Sequence, residues 1–217
     1  MSELISRHKV HWTDPSFIVS TIWGIVLLVV GVIATTFANQ YAVLTGKNPV
    51  TDIVLSNVRV FDVDWIVNYG PVLIVILVVL ILLARPSAIP FTVKSLALFI
   101  IIRAGFISLT HLGQFEPQLI LPTSSFLNFL GGGNSGGLFF SGHTGAPLML
   151  GLIFWDNKLL RYGFIALAVV LGVGMLLAHL HYTIDVVGAF FITPTIYGLA
   201  ERLFKKDYRL LMKDAQR

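Results

Sequence analysis

Apolar runs long enough to cross a bilayer as helices, about 20 residues each, recur along this chain with short polar stretches between them. By that length rule six segments qualify, at roughly 16–37, 66–84, 91–112, 138–155, 160–180 and 181–203. The expected fold is therefore an all-α integral membrane protein, a six-transmembrane-helix bundle formed by a single domain over residues 1–217. Short tails, 1–15 and 204–217, form its two ends. The first run, at about 20 residues, exceeds the 7–15 of a cleavable signal core, so it is expected to stay in the mature chain. Pro147 and Pro194 fall inside spans, which membrane helices tolerate when neighbours satisfy the freed carbonyls. Gly163, Ala168, Gly172 and Gly174 put small residues on the fifth span, where helices can approach closely.

Composition agrees. Hydrophobic residues make up 56% of the 217 and charged residues only 12%, against about 25% charged in a soluble domain. Mean hydropathy is +0.84. The net charge of +4 comes from basic residues beside apolar spans and does not suggest nucleic acid as a partner. With no cysteine, the chain has no disulfide and no thiol chemistry.

The 15 basic residues orient the expected bundle. Arg7, Lys9, Arg85, Lys94, Lys158, Arg161, Arg202, Lys205, Lys206, Arg209, Lys213 and Arg217 fall on one side; Lys47 and Arg59 fall on the other, and Arg103 lies within the third span. That asymmetry places both termini in the cytoplasm. Asp52, Asp62 and Asp64 are then expected as solvated residues of outer loops, with Glu116 on the same side.

This orientation gathers histidines. His111 ends the third span on the outer side, His143 begins the fourth, and His179, His181 and Asp185 occupy the turn between the fifth and sixth. His8 and His11 remain at the cytoplasmic side as ordinary juxtamembrane residues. Ionisable groups within a membrane are costly to place, so four histidines converging with an aspartate form a functional hypothesis. His181 and Asp185 are four apart and on a helix would share a face. A carboxylate beside an imidazole fixes its tautomer and leaves the other ring nitrogen free to attack or to take a proton. Ser141-Gly142-His143-Thr144 stands where a glycine-rich loop (Gly131–Gly133, Gly136, Gly137) meets a helix start, whose exposed N–H groups and dipole favour an anion. His143 there can bond a phosphate oxygen or protonate a leaving oxygen. The residues point to a membrane-embedded phosphoryl- or phosphodiester-transferring enzyme.

Together these motifs resemble the sphingomyelin synthase branch of the type 2 phosphatidic acid phosphatase superfamily. Ser-Gly-His-Thr is followed by Leu177-Ala178-His179-x-His181-Tyr182-Thr183-Ile184-Asp185-Val186, nearly the family string. Arg103 with Thr110-x-Leu112 is similar to the Arg-x6-Thr-x-Leu-Pro motif, Pro49-x-x-Asp52 to the Pro-x-x-Asp motif, and Glu116-x-Gln118-Leu119 to the corresponding outer loop. The likeness covers about residues 49–199. Gly113 stands where the family has proline, and Gly137 where it usually has aspartate. The lipid phosphatase branch would show Pro-Ser-Gly-His and a Ser-Arg pair; this chain has Phe140 before Ser141 and Gly174-Met175 in place of the pair.

The resemblance implies roles. His181 would be the nucleophile on phosphorus, Asp185 its orienting partner, and His143 the acid for the departing alkoxide and then the base for the incoming group. Arg103, Glu116, Ser141, Gly142, His179 and Tyr182 would make the substrate-binding set. No cofactor is implied. The expected reaction moves a phospho-headgroup from a phospholipid to a lipid alcohol, ceramide or diacylglycerol, on the extracytoplasmic side. A lipid phosphate phosphatase or phospholipase C-type hydrolase would use the same triad with water as acceptor. His111, His143, His179, His181 and Asp185 also have metal-ligand chemistry, although histidine-rich membrane hydroxylases need more histidines. An evident inverted repeat, as in many transporters, is lacking.

Overall fold

The computed structural model describes residues 8–46, 48–119 and 137–215. Its main helices are α1 (Pro15–Thr45), α2 (Asp64–Ala84), α3 (Ile89–Leu109), α4 (Gly142–Ile153), α5 (Lys158–Leu177), α6 (Thr183–Leu203) and α7 (Lys205–Ala215), with a 3-10 turn, Pro86–Ala88, leading into α3. No β-strand occurs among the described residues; one isolated bridge joins Asn48 and Leu112. Gly131–Gly133, Gly136, Arg7, Lys47 and Arg217 lie outside the described residues.

Among the described residues five helices are long and apolar enough to cross a membrane: α1, α2, the 3-10 turn with α3, α5 and α6. The expected fourth span, 138–155, does not meet the length rule. Its helix, α4, has 12 residues, roughly 18 Å at 1.5 Å per residue, against a hydrocarbon core of about 30 Å. Ser141 caps it at one end and the chain turns at Phe154. Eight of its 12 residues are buried, as befits a short apolar helix enclosed by longer ones. It sits against α5 and α6, with α3 on a third side, and its Met149, Leu150 and Ile153 form the centre of the core with Phe91, Phe99 and Phe164.

Small residues set the close approaches. α1 lies along α3, and a Cβ on Gly24 or Gly31 would press on Val93 or Ile100 at 3.2 and 3.1 Å. On α5, Gly172 faces Thr144 and Val186, and Gly174 faces Ile66, while Gly163 borders open space. At Gly145 on α4 a Cβ would lie 2.6 Å from the Phe99 ring, so only glycine lets α4 seat on α3.

Both ends of the described chain meet at one end of the bundle. His8 Nε2 lies 2.7 Å from Leu83 O, and Ser87 donates to Asp214 at 2.7 Å. Lys94 joins Asp207 and Ser20 at 2.7 and 2.6 Å, tying α3 to α7 and α1. Arg85 pairs with Asp156 at 3.1 Å, which brings the exit of α4 to this same end. The chain thus passes from one end of the bundle to the other through α4. The opposite end carries the C-termini of α1, α3 and α5 and the N-termini of α2, α4 and α6, and there the histidine motifs converge.

Candidate active site

The turn between α5 and α6 is built from two helix ends. α5 closes with a Schellman pattern: Leu180 N–H bonds Met175 O and His179 N–H bonds Leu176 O, both at 3.0 Å, which satisfies carbonyls that a helix end leaves open. His179 occupies the position usually given to glycine, at φ 57°. Six residues later Asp185, in the first turn of α6, reaches back to accept the Tyr182 N–H at 2.9 Å, one arm of a capping box.

His181 hangs between these ends. Its Nδ1 lies 3.2 Å from Asp185 Oδ2, the same oxygen that caps Tyr182. The expected contact is present, but a shared helical face does not cause it. His181 precedes the helix, and the carboxylate finds it because capping geometry turns Asp185 backwards. Asp185 is fully buried and His181 is 5% exposed. A carboxylate taken out of water needs such partners. With Nδ1 turned to Asp185, the imidazole keeps Nε2 for the cavity it lines.

α4 supplies the facing half. Ser141 is its N-cap and accepts the Thr144 N–H at 3.4 Å. Ser141 N–H in turn donates to Asp185 O at 3.0 Å, which fastens the start of α4 to the first turn of α6. The His143 ring consequently stands 6.4 Å, centroid to centroid, from that of His181. His143 Nε2 is buried without a hydrogen-bond partner. Arg103 rises from α3 beside Gly142, where a Cβ would lie 3.3 Å from its Nε. It donates to Phe140 O at 2.7 Å and Gly137 O at 3.0 Å. It forms no ion pair with a carboxylate among the described residues. Two carbonyls hold the guanidinium in place and leave further N–H donors on the cavity side.

Arg103, His143 and His181 share the rim of a cavity of about 360 Å³. From this polar rim it runs between α1, α2 and α3 along apolar side chains, among them Val32, Ile74, Val78 and Leu96. α1 and α2 form two of its walls and scarcely touch each other. A strip of cation and imidazole at one end of an apolar slot suits an amphiphile with an anionic head.

The other expected site residues stand elsewhere. His111 is exposed and rests edge-on against Tyr41 at 5.4 Å. Glu116 is exposed, accepting a long 3.4 Å bond from Gln118. His179 is buried with Nδ1 2.9 Å from Pro117 O and its ring against Phe115; it pins the loop after α3 rather than lining the cavity. Tyr182 is also buried outside the cavity, donating to Gly113 O at 2.8 Å and accepting the Val50 N–H at 3.2 Å. Among the described residues no three His, Asp or Glu side chains form a metal-holding group.

Asp52 departs from expectation. Instead of standing solvated in a loop, it is 8% exposed and accepts the Thr183 N–H and hydroxyl, each at 2.7 Å. Val54 and Leu55 N–H add bonds of 2.8 and 3.1 Å. Burial pushes its carboxyl up, but the bonds from Thr183, Leu55 and Val54 together hold it below its ordinary 3.8. An aspartate in a polar segment reads as solvated because sequence carries no trace of which helix start lies above it. The Pro49-x-x-Asp52 motif was the available signal. Gly113 also gains a reason: its N–H donates to Asn48 O at 3.1 Å, a bond that proline cannot make.

Comparison with known proteins adds one match. The family model described as PAP2 superfamily C-terminal matches residues 135–202, which contain Ser141, His143, His181 and Asp185. No curated protein and no solved structure matches the chain. The match supports the PAP2 superfamily, and with it phosphatase or phosphotransferase chemistry on lipids.

Proposed function

We propose that this protein is a membrane lipid phosphotransferase that moves a phospho-headgroup from a phospholipid to a lipid alcohol through a phosphohistidine. The observation that carries this reading is the facing pair His143 and His181, with Arg103 beside them, lining a largely apolar cavity.

The geometry is compatible with the following steps. The donor's phosphodiester sits on Arg103 and the free N–H groups at the start of α4. His181 Nε2 attacks phosphorus, and the P–O bond to the glycerol oxygen breaks. His143 gives its proton to the departing alkoxide. Asp185 stabilises the positive imidazole that forms. The alcohol product leaves, and a second lipid alcohol takes its place. His143, now neutral, removes that hydroxyl proton as the oxygen attacks phosphorus; the N–P bond breaks and the His181 lone pair returns. Water in the second step would give hydrolysis instead.

A lipid acceptor is favoured over water because most of the cavity wall is apolar and two of its walls, α1 and α2, are membrane-length helices that scarcely touch each other. An alcohol held there gains an effective concentration far above a dilute reactant's. α4 serves as a short sixth crossing, its irregular ends shielded by protein rather than exposed to lipid. Both termini then face the cytoplasm, by the asymmetry of basic residues, and the active site faces the opposite side.

The test supplies purified protein in lipid with labelled phosphatidylcholine or phosphatidylethanolamine, with and without ceramide or diacylglycerol, and identifies products by mass spectrometry. The expected product is headgroup transferred to the supplied alcohol. Phosphate release from a phosphomonoester, with no transfer to any alcohol, would overturn the transferase reading.

A further inference from the structure

α1 carries none of the motifs, yet one of its faces completes the cavity. Leu28, Val32, Thr35 and Asn39 all line it. Thr35 and Asn39 are 6% and 4% exposed, and Thr35 Oγ1 and Asn39 Oδ1 have no hydrogen-bond partner among the described residues. Leaving a buried polar atom unpaired is costly. Hydroxyls on membrane helices commonly avoid that cost by bonding the carbonyl four residues back. Thr36 does so with Val32 O at 3.0 Å, and Thr45 with Tyr41 O at 2.8 Å. Thr35, next to Thr36, does not. Other unpartnered hydroxyls, such as those of Thr21, Thr92, Ser95 and Thr193, do not border the cavity; among the described residues, besides Thr35 and Asn39, the unpartnered buried atom that does is His143 Nε2.

Asn39 also lies close to the anion-holding groups. Gly137 packs directly on its carboxamide, and a side chain at 137 would strike it. The Gly137 carbonyl is the one that Arg103 holds at 3.0 Å. Thr35 lies one turn farther in, roughly 6 Å at 1.5 Å per residue. Val32 and Leu28 follow. From the site end inward, this face of α1 therefore reads amide, hydroxyl, aliphatic, aliphatic. A lipid read from its phosphorus has the same order: reacting oxygen, backbone ester or amide, hydrocarbon.

We infer that Thr35 and Asn39 form the subsite for the backbone of the lipid alcohol, and that the alcohols it takes carry an ester or amide carbonyl close to the hydroxyl. The Thr35 hydroxyl donates to that carbonyl, and the Asn39 amide bonds the neighbouring oxygen or nitrogen. The leaving alcohol and the incoming one use the subsite in turn, since both reach phosphorus from the same side. This rests on the phosphotransfer reading for its role in turnover, but not for binding itself.

The experiment separates the two. Wild type and Thr35→Val, Asn39→Leu and Thr35→Ser variants, in nanodiscs, are loaded with a fluorescent diacylglycerol. Dioleoylglycerol and its dialkyl ether analogue, which lacks both carbonyls, then compete it off. Wild type should bind the ester lipid about threefold to tenfold more tightly than the ether, the worth of one or two hydrogen bonds. Thr35→Val and Asn39→Leu should lose that preference, and Thr35→Ser should keep it. Should Asn39→Leu fail to fold, the Thr35 pair decides alone. Equal affinity for ester and ether in wild type, or a preference that survives in Thr35→Val, overturns the subsite. A preference lost as expected, in a protein that transfers headgroups to no alcohol, leaves the subsite standing and removes the transferase reading.

Discussion

Asp52 and Thr183 are 131 residues apart in sequence, yet one carboxylate takes both the amide and the hydroxyl of the other residue at 2.7 Å. The loop after α1 is thereby fixed to the start of α6, two residues from His181 and two from Asp185. Thr183 has its N–H free because it opens a helix, and a carboxylate there also meets the positive end of the helix dipole. The hold is structural, and on the proposed mechanism it would bear on catalysis, since Asp185 belongs to the same helix start.

Replacing Asp52 tests that hold. Asp52→Asn should destabilise the protein by about 1.5–3 kcal/mol, the range for hydrogen bonds to a charged group. It should lower kcat more than it raises KM, because the ring of His181 loses its fixed orientation. The sign with pH follows from the lowered carboxyl. A group whose folded pKa is depressed stabilises above its unfolded value and loses that contribution as pH falls through the folded value. The stability gap between wild type and Asp52→Asn should therefore be full at neutral pH and close below about pH 4, the ordinary carboxylate range. Denaturation in detergent at several pH values measures this; a gap that widens in acid would contradict the assignment.

The proposed triad should fail as a unit. His143→Ala, His181→Ala and Asp185→Ala should each remove most activity, and pairs of them should cost little more than the worst single change, because the residues serve one step. A radiolabelled donor should leave acid-labile label on wild type and none on His181→Ala. Near-normal turnover in His181→Ala would remove it as the nucleophile.

At His179 the backbone and the side chain make separable contributions. His179→Ala and His179→Gly both lose the bond to Pro117 O, but alanine keeps the left-handed backbone penalty and glycine does not. The glycine variant should be the more stable of the two by about 1 kcal/mol. Thermal unfolding of the pair reads this difference directly; equal stabilities would mean that the φ of 57° is not retained.

Sidedness can be read on the natural background, since the chain has no cysteine. Asn57 is exposed at the site end and Lys158 at the opposite end. In intact cells a membrane-impermeant thiol reagent should label Asn57→Cys and spare Lys158→Cys until the membrane is opened. The reverse pattern would invert the proposed orientation.

The sequence by itself determined the helical membrane character, since apolar runs of that length allow little else, and it marked Ser141, His143, His181 and Asp185 through the spacing of polar groups at span edges. It also overcounted full-length spans. Hydropathy reports how apolar a segment is but not whether lipid or protein surrounds it, and α4 is apolar because it is enclosed. Only tertiary structure brought Asp52 to Thr183, set Thr35 and Asn39 against the cavity, and turned Glu116, His179 and Tyr182 away from it. Those outcomes depend on contacts between residues far apart in the chain, made by helix ends whose open N–H and C=O groups take whichever partner the fold brings near. Local spacing fixed the His181 and Asp185 contact, although through a capped turn rather than a helical face. The pairing of His143 with His181 needed the Ser141 to Asp185 backbone bond, which no local pattern encodes.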